Sequence, residues 1–205
     1  MAFFKTKNEN EQAGEKRSAT AVGLDYLHDV VYILAILLVA FTFLVRVVIV
    51  SGSSMFPTLV DSDFLLLLNR PLCGELEQGD IVVASMDRFH GGEAIVKRVI
   101  ATEGQTVDID FRAGVVYVDG VALEEDYIYT PTHLSEGMEF PLVVQEGCVF
   151  LMGDNRMDSR DSRAPEIGQV DEREILGPAV FLMMPGTGRG EYTVDWDAGR
   201  IGGLN

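Results

Sequence analysis

The feature that most limits how this chain can fold is one long apolar segment near its N-terminus. From Val30 to Val50 the sequence is almost wholly apolar, and Arg46 is its only charged residue. This is about the 20 residues that a helix needs to cross a bilayer. We therefore predict a transmembrane anchor over residues 30–50, after a polar tail over residues 1–29 and before a domain over residues 51–205.

Two other interpretations of this segment fit less well. A cleavable signal peptide has an apolar core of roughly 7 to 15 residues and then a small-residue cleavage site. Here the apolar run is longer, and the polar leader before it is long and acidic. A buried core helix would be apolar on every face, which a small domain seldom needs.

Basic residues are concentrated before the apolar segment. Four of them lie in the tail, whereas Arg46 is followed by no further basic residue until Arg70. Because positive charge favours the cytoplasmic side, we predict a single-pass protein of the cell (plasma) membrane with a cytoplasmic N-terminus. The domain is then extracytoplasmic, and Arg46 can extend its charged end to the outer interface, in contact with membrane lipid.

The sequence beyond Leu59 has the pattern of short strands separated by turns. Residues 107–111 alternate between apolar and polar, and Asp119-Gly120 is typical of a hairpin turn. The predicted fold class is therefore mostly β, an antiparallel sheet with one N-terminal transmembrane helix. Strands are expected over residues 64–68, 81–84, 95–100, 107–111, 115–118, 142–145, 149–152 and 175–184, the last broken at Gly177-Pro178.

Composition narrows the classes of partner. The net charge of −16 argues against nucleic acid, because binding phosphates needs a basic surface. No metal or organic cofactor is expected, since the histidines are scattered and the carboxylates lack ligand spacing. Cys73 and Cys148 could pair in an exported domain, although Cys148 lies in an apolar run typical of a buried thiol.

The stretch Ser51-Gly52-Ser53-Ser54-Met55-Phe56-Pro57-Thr58-Leu59 is the first candidate for a functional site. Pro57 disfavours a helical Phe56, so we expect the chain to arrive as an extended strand and to turn at Gly52 and the serines. Such a turn can present a hydroxyl, but a serine is a poor nucleophile unless a neighbour takes its proton. Taken alone, the stretch is more typical of an ordinary turn of serine and glycine residues than of a functional site.

Residues 95–100 place two consecutive cations in an apolar strand. Lys97 shares a face with Ile95 and Val99, and Arg98 lies on the other face, so one cation must meet an apolar environment. Periodicity does not say which. Arginine stays charged in proteins, whereas a desolvated lysine can lose its proton and act as a general base. The alternative is that both cations extend into solvent.

The segment 153–163, Gly-Asp-Asn-Arg-Met-Asp-Ser-Arg-Asp-Ser-Arg, follows a strand predicted to be buried. It packs alternating charges around two serines. As a solvated loop it would carry surface ion pairs worth about 0 to 1 kcal/mol each. So many charges directly after a buried strand favour a rigid, hydrogen-bonded platform beside a site.

Together, these three segments resemble the bacterial type I signal peptidases (leader peptidases), in their single-span form. Ser-Met-x-Pro-Thr-Leu after a membrane span, then Lys-Arg-Val-Ile, then Gly-Asp-Asn-Arg-x-x-Ser-x-Asp-Ser-Arg occur in the family's order. The resemblance covers about residues 25 to 185 and implies the fold of that family. It also implies a dyad in which Ser54 is the nucleophile and Lys97 the general base, with acyl transfer through an acyl-enzyme.

The resemblance implies further roles around this dyad. Ser159 matches the serine that orients the lysine, and Asp161 and Arg163 match residues that support the site. The Ser54 N–H would stabilise the oxyanion; Gly52 stands where some members carry a serine whose hydroxyl is a second donor. Substrates would be exported preproteins with small residues before the cleavage site. Seven positions match those that line the substrate pockets: Val48, Val50, Leu59, Leu65, Val83, Ile95 and Val96.

Other functions fit the sequence less well. A self-cleaving Ser/Lys repressor would lack a membrane span and usually carry a DNA-binding region. A catalytically silent, membrane-tethered β module that binds partners would be expected to lack Ser54 or Lys97. Relatives that use histidine as base are disfavoured, because none of the histidines lies at the position of Lys97.

Overall fold

One long helix precedes all the strands of the molecule. In a computed structural model, which describes residues 19–89 and 91–204, helix α1 spans Ala19–Leu44. It is long and apolar enough to cross a membrane from Gly23 to Leu44, and its described side chains are largely exposed. Residues 1–18 of the predicted tail and His90 lie outside the described residues, while residues 19–29, predicted to be tail, belong to the helix.

The helix ends earlier than the anchor predicted over residues 30–50. Strand β1 (Val45–Ile49) begins directly after Leu44, because this β-branched run pairs antiparallel with strand β2 (Phe64–Leu68). The last helical carbonyls are capped from the end of β2: the Asn69 N–H donates to Leu44 O at 3.0 Å, and Asn69 Nδ2 donates to Phe43 O at 2.7 Å. The final six residues of the predicted anchor therefore belong to the β body or its first turn.

Strands form nearly all the regular structure of the described chain from residue 45 onward. The remaining strands are β3 (Ile81–Ser85), β4 (Ala94–Ala101), β5 (Thr106–Asp110), β6 (Val115–Val118), β7 (Val121–Ala122), β8 (Leu142–Val143), β9 (Cys148–Met152), β10 (Val170–Asp171), β11 (Ile175–Met184) and β12 (Gly202–Gly203).

The strands pair antiparallel in two sheets, which confirms the predicted fold class. The larger sheet has the order β1-β2-β11-β3-β4-β9-β10, with β12 beside β11, and the smaller one has the order β7-β6-β5-β8. Among the residues that the structure describes, β1 of the larger sheet pairs only with β2, and residues 94–97 of β4 pair only with β3, because the pairing with β9 begins at Arg98. Two strand edges are thus left open.

Strand β11 is continuous where the sequence predicted a break at Gly177-Pro178. It pairs with β3 up to Pro178 and with β2 from Ala179. The register with β3 is irregular between Ile175 and Gly177, and the register with β2 is irregular at two places after Ala179. A Cβ at Gly177 would lie 1.9 Å from Leu68 O. The glycine therefore permits a close strand crossing rather than ending the strand.

Candidate active site

The loop between β1 and β2 carries Ser54. It is closed at its base by two backbone hydrogen bonds, from Val50 N–H to Asp63 O at 2.8 Å and from Ser62 N–H to Val50 O at 2.9 Å. Gly52 has φ +95°, a conformation that favours glycine, and its N–H donates to Asp61 Oδ1 at 2.8 Å. The chain thus turns at Gly52, and this turn places Ser54 beyond the end of β1.

Lys97 meets Ser54 at the open edge of β4. Its Nζ lies 2.7 Å from Ser54 Oγ and 2.9 Å from Val96 O, and the residue is 4% exposed. Burial lowers the pKa of Lys97 to about 8, against the opposing effect of nearby carboxylates, of which Asp161 is the strongest. At pH 7 about one molecule in ten then has a neutral lysine, against roughly one in 2,500 at the ordinary pKa.

Arg98 is buried as well, but its charge is compensated. Its Nε donates to Asp154 Oδ1 at 2.9 Å and its second terminal nitrogen to Asp154 Oδ2 at 2.7 Å. The guanidinium carbon also lies 4.0 Å from the centre of the Tyr127 ring. Among the contacts described for the chain, Lys97 has no such ion pair, so of the two cations it is the lysine that is left to lose its proton.

The segment 153–163 forms a buried network around Asp161. This carboxylate is fully buried and accepts from Arg163 at both oxygens, each at 2.8 Å, and from Gly153 N–H at 3.0 Å. Burial raises the pKa of Asp161, but the hydrogen bonds and charge of Arg163 outweigh it and hold the pKa below its ordinary value. Asp161 therefore stays ionised and keeps Arg163 and Gly153 in place.

Ser159 has a different partner from the one that the resemblance implies. Its Oγ donates to Asp161 Oδ2 at 2.8 Å. Lys97 makes its side-chain hydrogen bonds to Ser54 and Val96, and none to Ser159 is present among the described residues. In this structure Ser159 therefore belongs to the Asp161 network, and the orientation of the lysine by Ser159 stays a prediction.

The same segment holds the loop that carries the nucleophile. Asn155 N–H donates to Ser54 O at 3.0 Å, and Asn155 Nδ2 donates to Ser53 O at 3.2 Å. Ser53 Oγ donates to Asp158 Oδ2 at 2.6 Å. The sequence predicts a platform here but no particular role for Asn155 and Asp158, because their partners lie about a hundred residues away.

Gly153 allows the two segments to touch. A Cβ at this position would lie 2.2 Å from Ser159 Oγ and 2.4 Å from Ser54 O, closer than real Cβ contacts come. Only a residue without a side chain fits here, which gives the first glycine of the motif a steric reason.

The C-terminal segment supports the loop from another side. Asp63 is fully buried, and its oxygens accept from Val60 N–H at 2.8 Å, Gly186 N–H at 2.6 Å and Arg200 at 2.7 Å. Arg200 lies 137 positions away in sequence. This ion pair cannot be predicted from the sequence, because no local pattern connects the two residues.

The oxyanion position is open on the side of Ser54. The Ser54 N–H makes no hydrogen bond within the described residues. The Gly52 N–H is occupied by Asp61, so it is not free to act as a second donor in this conformation. The Ser54 N–H thus has the availability that oxyanion binding requires.

A cavity of about 350 Å³ lies beside the pair, between the end of β1 and the start of β4. It is lined by Val48, Ile49, Val50, Ser51, Ser54, Met55, Phe89, Glu93, Ala94, Ile95, Val96 and Lys97. Of the seven predicted pocket residues, Val48, Val50, Ile95 and Val96 therefore line it.

The other three predicted pocket residues do not line this cavity. Leu59, Leu65 and Val83 have no exposed surface and pack in the hydrophobic cluster beneath it. Their side chains point into the core. The sequence does not reveal this, because a continuous apolar run gives no sign of which side chains face a cavity and which face the core. They can shape the cavity floor only through the residues above them.

The two cysteines of the chain are not bonded to each other. Cys73 and Cys148 are free thiols, and Cys148 is partly exposed rather than buried as predicted, since it stands at the first position of β9. Within residues 19–89 and 91–204, no group of three histidine, cysteine or acidic residues could hold a metal ion.

Comparison with known proteins identifies a family match. The family model described as "Signal peptidase, peptidase S26" matches residues 24–184. A signal peptidase I of Bacillus amyloliquefaciens is 34% identical over 154 residues, 70% of this chain and 76% of the relative. A probable signal peptidase I-1 of Synechocystis is 36% identical over 150 residues, 69% and 72% of the two chains. Signal peptidase I T of Bacillus subtilis is 32% identical over 190 residues, which are 87% of this chain and 94% of the relative.

The close approach at Gly153 leads to a test of stability. We expect Gly153→Ala to lower the free energy of unfolding by about 1–3 kcal/mol or more, because the added methyl overpacks the contact with Ser54 and Ser159. Urea unfolding in detergent micelles measures this. Gly74→Ala is the control, since a Cβ there meets nothing within 4 Å. Equal stability of the two variants would contradict the close contact.

Proposed function

The chain belongs to the signal peptidase family, peptidase S26, and on this premise we propose that Ser54 and Lys97 form its catalytic dyad. It is a serine endopeptidase that removes signal peptides, as its signal peptidase I relatives indicate. The observation that carries the assignment is the contact of 2.7 Å between Ser54 Oγ and a buried lysine whose pKa is lowered to about 8. Both properties are needed, because a base must reach the proton and must be neutral.

The reaction follows from this geometry. Neutral Lys97 takes the proton of Ser54 Oγ as that oxygen attacks the scissile carbonyl carbon. The C–N bond then breaks, Lys97 returns the proton to the leaving amine, and the acyl group stays on Ser54. Lys97 next takes a proton from water, whose oxygen attacks the ester. The carboxylate leaves, and Ser54 recovers its proton.

The tetrahedral intermediate needs hydrogen-bond donors at its oxyanion. We assign the first donor to the Ser54 N–H, which has no partner within the described chain. Asn155 supports this assignment, since its N–H holds Ser54 O and so fixes the peptide unit on the other side of the nucleophile. Ser159, Asp161 and Arg163 act behind Lys97, as a network that fixes its surroundings.

The open strand edges suggest how a substrate lies. The cavity is lined on one side by residues 48–51 and on the other by residues 94–97, and both stretches have an unpaired edge. An extended peptide can add main-chain hydrogen bonds to either edge, with alternate side chains entering the cavity. The aliphatic lining from Val48, Val50 and Val96 favours small side chains before the scissile bond.

The membrane arrangement is proposed on charge and length. The helix spans the bilayer between Gly23 and Leu44, and contact with membrane lipid follows from its apolar surface. The basic residues of the tail favour a cytoplasmic N-terminus, which leaves the β body outside the cell membrane.

A silent binding module is the less favoured alternative. A binding module would not need Ser54 and Lys97 to be in contact. Here the two side chains are in contact, and Lys97 is desolvated. The relatives are named as peptidases.

The dyad is tested by cleavage of a purified preprotein with the full-length protein in detergent. We expect Ser54→Ala and Lys97→Met each to lower kcat/KM by at least about a thousandfold. Ser135→Ala and Arg112→Met, both at exposed positions, should cleave like wild type. Normal cleavage by Lys97→Met would show that the base is misassigned, and no cleavage by wild type would favour the silent module.

The pH profile gives a second readout of the same pair. Because burial lowers the pKa of Lys97 to about 8, the neutral base becomes scarcer as the pH falls below that value. We expect kcat/KM to fall about tenfold for each pH unit below 8 and to level off above it. A profile whose basic limb continues to rise to pH 10 would contradict a desolvated lysine.

The cavity lining is tested by substrate size. Wild type should favour alanine over leucine before the scissile bond by at least about tenfold, and Val50→Ala should reduce this preference because it enlarges the cavity. Leu65→Ala removes a side chain from the core beneath and should lower stability while keeping the preference. A preference changed equally by both variants would contradict the assignment of Val50.

The orientation is tested by labelling with a membrane-impermeant maleimide in intact cells, using Cys73→Ser and Cys148→Ser as the background. We expect Ser135→Cys to react and Ser18→Cys to react only after permeabilisation. The reverse pattern would overturn the proposed topology.

A further inference from the structure

A second cavity lies just beyond the end of the apolar helix, and it shares no lining residue with the cavity beside the dyad. It has a volume of about 350 Å³ and is lined by Phe43, Arg46, Asn69, Arg70, Ile175 and Leu176. We call it the interface pocket. Two of its lining residues are arginines, and the first stands two positions after the last helical residue.

Arg46 brings a positive charge that has no ion-pair partner among the described residues. Its side chain is exposed, and it forms no ion pair within the described part of the chain. On β1 it stands opposite Leu67, a buried residue of the inner face of the sheet. An arginine on this face serves neither the core nor a surface ion pair, so its charge is available to a ligand.

Arg70 is only partly satisfied. One terminal nitrogen pairs with Glu172 and the other donates to Gly74 O at 2.8 Å, but its buried Nε has no hydrogen-bond partner. An unpaired buried donor is costly and uncommon in folded proteins. With Arg46 and Glu172, the pocket carries a net charge of about +1, which matches one monovalent anion.

Asn69 adds an acceptor to the same pocket. The residue is 9% exposed, and its Nδ2 and N–H are used by the helix end. Its buried Oδ1 has no partner. A ligand that carries both an anion and a hydroxyl group would satisfy Arg70 Nε and Asn69 Oδ1 together.

We propose that the interface pocket binds the headgroup of an anionic phospholipid of the phosphatidylglycerol type. Arg46 and Arg70 hold the phosphodiester, a headgroup hydroxyl donates to Asn69 Oδ1, and Phe43, Ile175 and Leu176 contact the glycerol backbone. The inference rests on the proposed membrane anchoring, because only then does a helix ending at Leu44 bring the pocket to headgroup level.

The overall charge makes such a pocket consequential. With a net charge of −16, the chain as a whole is repelled by an anionic leaflet. Two arginines beside the helix end provide a local attraction of opposite sign. The pocket therefore selects individual lipids at a fixed position rather than drawing the body broadly onto the membrane.

The test measures lipid bound to the full-length protein in a neutral maltoside detergent by native mass spectrometry. Phosphatidylglycerol should bind one to one, and phosphatidylcholine, which has no net charge and no hydroxyl, should bind at least about tenfold more weakly. Arg46→Gln should weaken phosphatidylglycerol binding about fivefold, as expected for loss of one basic contact. Arg112→Gln, at an exposed site in another part of the body, should bind like wild type.

Further measurements distinguish a lipid site from a general phosphate site, and distinguish failure of the lipid proposal from failure of the dyad proposal. Inorganic phosphate at millimolar concentration should leave the lipid bound; displacement would show a general phosphate site and overturn the lipid assignment. Equal binding of both lipids, or unchanged binding by Arg46→Gln, would also overturn it. The lipid binding of Arg70→Gln is interpreted together with the melting temperature of that variant, because the substitution also removes the ion pair with Glu172. Ser54→Ala should bind lipid normally, so failure of the dyad assignment is seen in cleavage alone.

Discussion

The chemistry of this site depends on how the charges around Lys97 are compensated. Asp154 and Asp161 both lie close enough to raise the pKa of the lysine, and either one unpaired would favour its charged form. Each is instead bound by its own arginine, Asp154 by Arg98 and Asp161 by Arg163. Burial can then dominate and lower the pKa of the lysine to about 8, so that about one molecule in ten has a neutral lysine at pH 7.

This arrangement explains why the site needs so many ionic residues without using them in the reaction. The buried pairs contribute little net stability, because desolvation offsets their attraction. Their geometry nevertheless fixes two loops against each other: Asp161 holds Gly153, and Gly153 touches Ser54 O. Asp63 and Arg200 fix the nucleophile loop from the C-terminal side. Precision at the dyad is thus distributed over segments that are far apart in sequence.

Much of the fold could be predicted from the sequence, and the reasons are local. The alternation of apolar and polar residues predicted strands such as β5 and β6, and the dipeptide Asp119-Gly120 predicted the turn that connects β6 to β7. The end of the helix was misplaced because Val45–Ile49 is as apolar as the helix before it; only pairing with β2 turns it into a strand. The local sequence pattern does not show with which strand this segment will pair.

The residues of the candidate site likewise fall into those that the sequence predicts and those whose partners only the fold reveals. Ser54, Lys97 and the segment 153–163 were found from order and resemblance, and the structure brings all three together. The partner of Ser159, the burial of Leu59, Leu65 and Val83, and the Asp63–Arg200 pair could not be found, because each depends on contacts between distant segments. Arg156 is similar: a charged residue in a polar motif turns out fully buried, paired with Glu125.

The direct junction between α1 and β1 has a geometric consequence for substrates. Ser54 comes only ten positions after Leu44, and a chain of that length reaches at most about 35 Å. Pairing of β1 with β2 makes half of this connection a stiff strand of about 17 Å. The nucleophile therefore lies no farther than about 35 Å from the end of its helix. A scissile bond that stays beyond this distance from the helix end, even in a sequence with ideal small residues, is out of range.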